Sequence, residues 1–388
     1  MTNHNPKEPK FLFLVGAPRS ANSAILALLD NHPDILSWPS EFYFAMTFNR
    51  ISKGNTTAPV KELNTAFIAH FEDRFGERLS INTLGDTHSK FDIKKSIGPF
   101  DIELFKDLLN IRKSEVMGSI EYLRHFFQCF HSSHEHYKNK EVKYYGMLCT
   151  ARGFDWSSET LLANSRLIFP YRKPLESYAS LREKYLKTIS PNEFFDLRAS
   201  KGAVYWLKTY KKINTLIERH KSHPNLHITS VNKFREDQRS QIAELCDFLE
   251  IPATKSTSDM TILGIPYGGN ARQNSLNTGT IAKQPSILNN PATTFEEYCF
   301  DQLNLLDFDN PRNYIPKHRT LIPYLLALQA TFIGIKKNPN GLTKSSLKYR
   351  FIPWRVKMFV QLINICKIVR NPSQLANIKS DNIQDSLY

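Results

Sequence analysis

Two groups of residues in this sequence have the types and spacing of an anion site. The first is Gly16-Ala17-Pro18-Arg19-Ser20-Ala21-Asn22-Ser23, which interrupts the apolar run Phe11-Leu12-Phe13-Leu14-Val15 and gives way to a helix-like segment, Ala24 to Leu29. Arg19, Ser20, Asn22 and Ser23 supply side-chain donors. A loop that opens a helix adds unpaired backbone N–H groups and the positive end of the helix dipole. The second group is Arg172-Lys173-Pro174-Leu175-Glu176-Ser177-Tyr178-Ala179-Ser180, just after the strand-like Leu167-Ile168-Phe169. Arg172 falls past the strand end, and Ser180 about two helical turns further on. Ligands of open α/β sheets collect outside the carboxyl ends of strands, so both groups are expected to face one crevice. A guanidinium and a hydroxyl there suit a phosphate, and two anion sites on one sheet predict an extended ligand with two phosphates.

The elements that must position these groups follow from periodicity. Short apolar runs bounded by Gly and Pro predict strands at Phe11–Val15, Tyr144–Leu148, Leu167–Phe169 and Leu226–Thr229, each followed by polar or helical sequence. That alternation predicts an α/β fold with a central parallel sheet covered by helices. Ala203, Val204, Trp206, Leu207, Tyr210, Ile213, Leu216 and Ile217 repeat near 3.6 residues and predict a crossover helix packed on the sheet. Gln238–Leu249 predicts another, closed by Pro252. Residues from about 50 to 140, with helical patches at Ile102–Ile111 and Ser119–Phe130, are expected to form a helical insertion. From about Gly268 to Pro291 the sequence turns loop-like and predicts a boundary.

Composition bounds the partners. The chain has 388 residues, 41% of them hydrophobic, enough for one large domain with an extension or for two modest domains. A formal charge of +14 points to a polyanion: a phosphorylated nucleotide, an acidic glycan, nucleic acid or an anionic membrane surface. Cys129, Cys149, Cys246, Cys299 and Cys366 are odd in number and widely spaced, which argues against a disulfide scaffold and for a reducing compartment. The first residues lack the apolar core of a signal peptide, so cytoplasmic residence is expected.

The two motifs together resemble those of the PAPS-dependent sulfotransferases, in particular the branch containing carbohydrate and protein-tyrosine sulfotransferases. Gly16–Ser23 is similar to that family's 5′-phosphosulfate loop, G-x-P-[RK]-S-G-[TS]-[TS], and Leu28-Leu29-Asp30-Asn31-His32-Pro33-Asp34 continues in its manner. Arg172–Ser180 is similar to its 3′-phosphate motif, R-x-P-x-[DE]-x-x-x-S. The resemblance covers about residues 9 to 275. It implies a P-loop-type three-layer fold, 3′-phosphoadenosine 5′-phosphosulfate (PAPS) as sulfuryl donor, no metal, and a hydroxyl of a glycan, glycolipid or other small molecule as acceptor. Carried over by position, Arg19 contacts the 5′-phosphosulfate with Ser20, Ala21, Asn22 and Ser23 around it, and Arg172 and Ser180 hold the 3′-phosphate. Arg272, in Gly268-Gly269-Asn270-Ala271-Arg272, is a third phosphate contact. Glu41, in Trp38-Pro39-Ser40-Glu41-Phe42-Tyr43-Phe44, stands where the branch carries an acceptor-activating base. Ala21 replaces the loop glycine, which carries a conformational penalty if that position needs positive φ, and Asn22 replaces a hydroxyl residue.

Other readings stand beside this one. A catalytically degenerate nucleotide-binding, membrane-associated interaction protein would keep the same loop; a small-molecule kinase would need a G-x-x-x-x-G-K-[ST] loop that the sequence lacks. His32 is expected to shape a turn with Pro33. Cys129, His131, His134 and His136 are too densely spaced for a standard zinc site, so no metal and a polar loop are expected. The C-terminal residues 276–388 are expected to form a mainly helical, basic extension. Within it, Leu321–Ile335 is too short and interrupted to span a membrane. Lys336–Arg370, rich in Lys and Arg and without Asp or Glu, suits peripheral contact with anionic lipid, packing on its own domain, or a second subunit. It carries no nucleic-acid motif.

Overall fold

The computed structural model describes residues 8–70, 96–97, 99–151, 154–156, 158–187, 206, 209–210 and 213–266. It divides into two compact units, Met1–Arg172 with Leu216–Pro285 and Lys173–Thr215 with Ser286–Tyr388. The expected 276–388 extension, the boundary after Gly268 and Arg272 lie outside the described residues.

The first unit is built on five parallel strands, β1 (Lys10–Leu14), β2 (Ile35–Glu41), β3 (Tyr144–Leu148), β4 (Ser165–Tyr171) and β5 (Leu226–Ser230), hydrogen-bonded in the order β2-β3-β1-β4-β5. This is the predicted α/β fold with a central parallel sheet and flanking helices. The central strands are near-continuous apolar runs because both faces are covered. On one face Leu12, Leu14, Tyr144, Leu148 and Ile168 pack with Ile25, Leu26, Leu28 and Leu29 of α1 (Asn22–Leu29). Ile242, Leu245 and Leu249, also on that face, come from a helix that runs Gln238–Leu249, the predicted bounds. On the other face Phe11 lies beside Phe127, Phe127 stacks on Tyr145, and Phe13 meets Phe154 edge-on at 4.9 Å.

β2 is an edge strand that the periodicity did not reveal. Pro39, which cannot donate to a ladder, breaks its pattern and is tolerated at an edge. The register slips between Ser37, opposite Gly146, and Glu41, opposite Leu148, so four residues of β2 span two of β3.

The insertion between β2 and β3 is helical as expected. It contains α2 (Phe44–Ser52), helical residues 60–70, α3 (Ile102–Ile111) and α4 (Ser119–Ser132). Asp101 starts α3 by accepting from the Leu104 N–H at 2.9 Å. A short antiparallel pair, Thr57–Pro59 with Val116–Gly118, ties the insertion's ends together. Its core is aromatic: Trp38 meets Phe126 and Phe130 edge-on at 4.9 and 5.0 Å, and Phe42 stacks on Phe67 at 4.8 Å.

Residues 129–136, expected as a polar loop, are instead the last turn of α4 and its continuation. Ser133 bonds back to the Cys129 carbonyl, and His131 Nε2 pairs with the Tyr137 carbonyl at 2.8 Å. His134 is buried, and burial, with His136 and His131 adding, pushes it down to about 4. No group of three or more metal-ligating side chains occurs among the described residues.

A short helix, α5 (Glu159–Ala163), precedes β4; in the second unit, α6 (Pro174–Lys187) begins with proline at its first position, where no N–H is needed. The Trp206 indole donates to the Pro174 carbonyl at 3.3 Å and lies 5.5 Å from Tyr210. Residues 206, 209–210 and 213–220 are helical, in keeping with the predicted crossover helix. No helix among the described residues is long and apolar enough to cross a membrane.

Candidate functional site

The register of the sheet sets the geometry of the site. Glu41, Leu148, Leu14 and Ile168 lie level across β2, β3, β1 and β4. The chain beyond each therefore leaves from one edge, where open α/β sheets gather ligands.

The Gly16–Ser23 loop leaves β1 at that edge. Its start is fixed by backbone bonds: Val15 N–H to the Ile168 carbonyl at 2.9 Å and Ala151 N–H to the Gly16 carbonyl at 3.2 Å. Ala17 closes the first turn by accepting from the Ser20 N–H at 3.2 Å. Arg19 and Ala21 both have positive φ, 66° and 58°. The two left-handed residues stand on either side of Ser20, whose own N–H is turned back to Ala17. The penalty expected at Ala21 is therefore present: its Cβ sits in a conformation that disfavours any side chain. Ala21 is also the N-cap of α1; it makes no side-chain capping bond, and its carbonyl accepts from the Ala24 and Ile25 N–H groups at 3.0 Å each.

The Asn22 side chain turns into the loop. Its side-chain amide donates to the Ala17 carbonyl at 2.9 Å, inside the loop. Its Oδ1 is buried without a partner and lies against Gly16, where an added Cβ would stand 2.0 Å from it. Gly16 is thus required by close approach of Asn22. Ser20 is fully buried, while Arg19 and Ser23 are half-buried.

Arg172, the first residue past β4, is 9% exposed, and its guanidinium donates to the Arg19 carbonyl at 2.9 Å. The two sequence motifs therefore meet through Arg172 and Arg19. Ser180 lies on α6 of the second unit and is half-buried.

Glu41 ends β2, two strand spacings, about 10 Å, from β1. Between them sits Cys149, whose N–H donates to the Leu14 carbonyl at 2.9 Å. Burial pushes the Cys149 thiol up, and the Glu41 carboxylate adds to the shift. A buried, protonated thiol is a poor nucleophile. Two partners of Glu41 carry no motif. The Tyr43 hydroxyl donates to Glu41 Oε2, and His70 Nε2 pairs with the Glu41 carbonyl at 3.2 Å. Tyr43 was visible as a polar aromatic two residues on; nothing in the sequence joins His70 to Glu41.

The opposite end of α1 is anchored by polar burial. Asp30 accepts from the Thr261 hydroxyl at 2.8 Å and the Gly264 N–H at 2.9 Å, and burial pushes its carboxyl up to about 6 against these bonds. His32 is fully buried, with Nε2 bonded to the Pro252 carbonyl at 2.8 Å and Nδ1 accepting from the Asp34 N–H at 3.0 Å. Its ring shapes the turn, as expected.

No family model matches the sequence, and no curated protein sequence matches it. Among solved structures it is similar to the sulfotransferase domain from the curacin biosynthetic pathway, at 14% identity over 77% of this chain and 98% of that one, TM-score 0.41. It is also similar to the sulfotransferase domain from the Synechococcus PCC 7002 olefin synthase, at 16% identity over 79% and 98%, TM-score 0.39. A third is a sulfotransferase from Alicyclobacillus acidocaldarius, at 14% identity over 66% and 87%, TM-score 0.35.

Proposed function

We propose that the chain is a sulfotransferase that moves a sulfuryl group from PAPS to a hydroxyl of a glycan, glycolipid or other small acceptor, as in the carbohydrate and protein-tyrosine branch. One observation carries the reading: the buried Arg172 guanidinium is bonded to the Arg19 carbonyl, so two cationic residues from two motifs share one edge of the sheet. In this reading Arg19, Ser20, Ala21, Asn22 and Ser23 surround the 5′-phosphosulfate, and Arg172, Ser180 and Arg272 hold the 3′-phosphate. Asn22 contributes through its backbone N–H, because its side chain serves the loop.

The chemistry requires little covalent participation by the protein. The acceptor oxygen forms a bond to sulfur as the bond from sulfur to the 5′-phosphate oxygen breaks. The electron pair leaves with the phosphate, and the acceptor's proton passes to Glu41. Fixed donors at the leaving oxygen and in-line placement lower the barrier, as in phosphoryl transfer. A carboxylate within reach of the acceptor hydroxyl suits the base.

The test is calorimetric. Arg172→Ala is expected to weaken binding of the product nucleotide PAP about tenfold or more, the loss of a charge-assisted hydrogen bond. Glu41→Ala is expected to spare PAP binding and lower sulfuryl transfer. Unchanged PAP affinity in Arg172→Ala removes the cofactor assignment.

Ala21 in the left-handed region favours a second reading, a nucleotide-binding relative that has lost turnover. PAP binding with no transfer across an acceptor panel supports it, and measured transfer rejects it.

A further inference from the structure

Glu41 sits at the end of an edge strand interrupted by Pro39, next to a register slip, a poor foundation for a carboxylate that must meet a hydroxyl within a few tenths of an ångström. A glutamate side chain has three rotatable bonds, and left alone it would sample many positions. The structure supplies two constraints. The Tyr43 hydroxyl donates to Oε2. His70, on the helical residues 60–70, bonds through Nε2 to the Glu41 backbone carbonyl at 3.2 Å, so that the ring acts as donor, and it meets the Tyr43 ring edge-on at 5.4 Å. Tyr43 itself stands at the N-cap of α2, between two buried phenylalanines, Phe42 and Phe44, that stack with Phe67 of the same helical segment as His70. One helix thus braces both the carboxylate's backbone and the ring that holds its side chain.

From this arrangement we infer that Tyr43 is a positioning residue for Glu41, with His70 bracing the same carboxylate from its backbone. The inference rests on the reading of Glu41 as the base. A phenol that donates to a carboxylate limits its rotation, so the Glu41 carboxylate is aimed before an acceptor arrives. The groups around Glu41 include Tyr43, His70 and, just past β3, Cys149, a buried thiol that stays protonated.

The experiment uses the full chain with 13C-labelled glutamate carboxyls, the Glu41 signal being assigned by its loss in Glu41→Gln. Tyr43→Phe keeps the ring and removes the donor. It is expected to move the Glu41 carboxyl signal at fixed pH and to lower kcat for sulfuryl transfer about tenfold, the loss of one hydrogen bond to a charged group, while leaving PAP affinity unchanged. A merely structural tyrosine moves neither, because phenylalanine keeps the ring, and an unmoved signal or an unmoved kcat overturns the inference. Failure of the underlying reading has a different signature: Glu41→Gln transferring sulfuryl groups as fast as the unaltered chain removes the base whatever Tyr43 does.

Discussion

The two sides of the candidate site hang from the same sheet but are held by different means. The Gly16–Ser23 loop leaves β1, a central strand bonded on both sides, and is closed by its own backbone and by one short amide, Asn22. Glu41 leaves β2, an edge strand with a slipped register, and is held by side chains from the insertion. The donor side is thus closed largely by bonds within the loop, with Ala151 and Arg172 adding one bond each from outside it. The acceptor side is a long-range structure that exists only once the aromatic core of the insertion has formed.

The sharpest way to break this contrast is Trp38→Ala. Trp38 is buried among Phe42, Phe100, Phe105, Phe126 and Phe130. Removing it leaves a large cavity beneath the strand that carries Glu41, at about 3–5 kcal/mol. Urea unfolding should show that loss, while the folded fraction still binds PAP, because the loop does not depend on the insertion. Loss of PAP binding by the folded protein would mean that the two sides are one unit.

The opposite result is expected of Gly16→Ala. The new Cβ would fall 2.0 Å from Asn22 Oδ1, so either the amide leaves or the loop opens. Overpacking of this kind costs about 1–3 kcal/mol, and PAP binding should fall at least tenfold. Asn22→Ala in the same chain removes the obstacle. A double-mutant cycle should therefore give a coupling of about 1 kcal/mol or more, with the pair more stable than the sum of the singles predicts.

The same contrast explains what could be read from the sequence. β1, β3, the helix Gln238–Leu249 and α3 were readable because each is a local period packed on a fixed face. Arg19 and Arg172 were readable because their motifs are contiguous. β2 was hidden by Pro39 and its slip, and with it the fact that Glu41 ends a strand. Tyr43 and His70 were hidden because what unites them with Glu41 is the packing of residues 60–70 against α2, which no spacing records. The positive φ of Arg19 was likewise invisible, since arginine does not announce it, whereas the family's glycine at the place of Ala21 raised the question there. Asn22 showed a donor but not its direction, which follows from the absence of a side chain at Gly16.

Behind the loop, Asp30 ties the far end of α1 to Thr261 and Gly264, and its pKa near 6 makes the tie pH-dependent. The folded state holds the proton up to about pH 6, whereas the unfolded chain releases it near 3.8. Stability from this group is therefore fully present below about pH 4 and lost as pH rises through 6, up to about 3 kcal/mol in all. Asp30→Asn keeps an acceptor oxygen for Thr261 and Gly264 and should flatten that slope in urea titrations between pH 4 and 7. An unchanged slope would assign the linkage to another group.

The smallest expected effect tests the loop's own strain. Ala21 has φ 58° and ψ 14°, and an L-residue with a Cβ is disfavoured there by about 1–2 kcal/mol. Glycine removes that penalty but enters the unfolded state with more freedom to lose, which returns roughly half of it. Ala21→Gly should therefore stabilise the chain by about 1 kcal/mol or less, seen as a higher urea midpoint with unchanged slope. Because the strain lies in the loop proposed to hold the 5′-phosphosulfate, the same substitution should leave Glu41 and Tyr43 untouched and alter only the donor side. A gain in sulfuryl transfer at constant acceptor affinity would show that the strained loop limits turnover. A gain in stability alone would confine the effect of Ala21 to folding and leave the acceptor side as the place where rate is set.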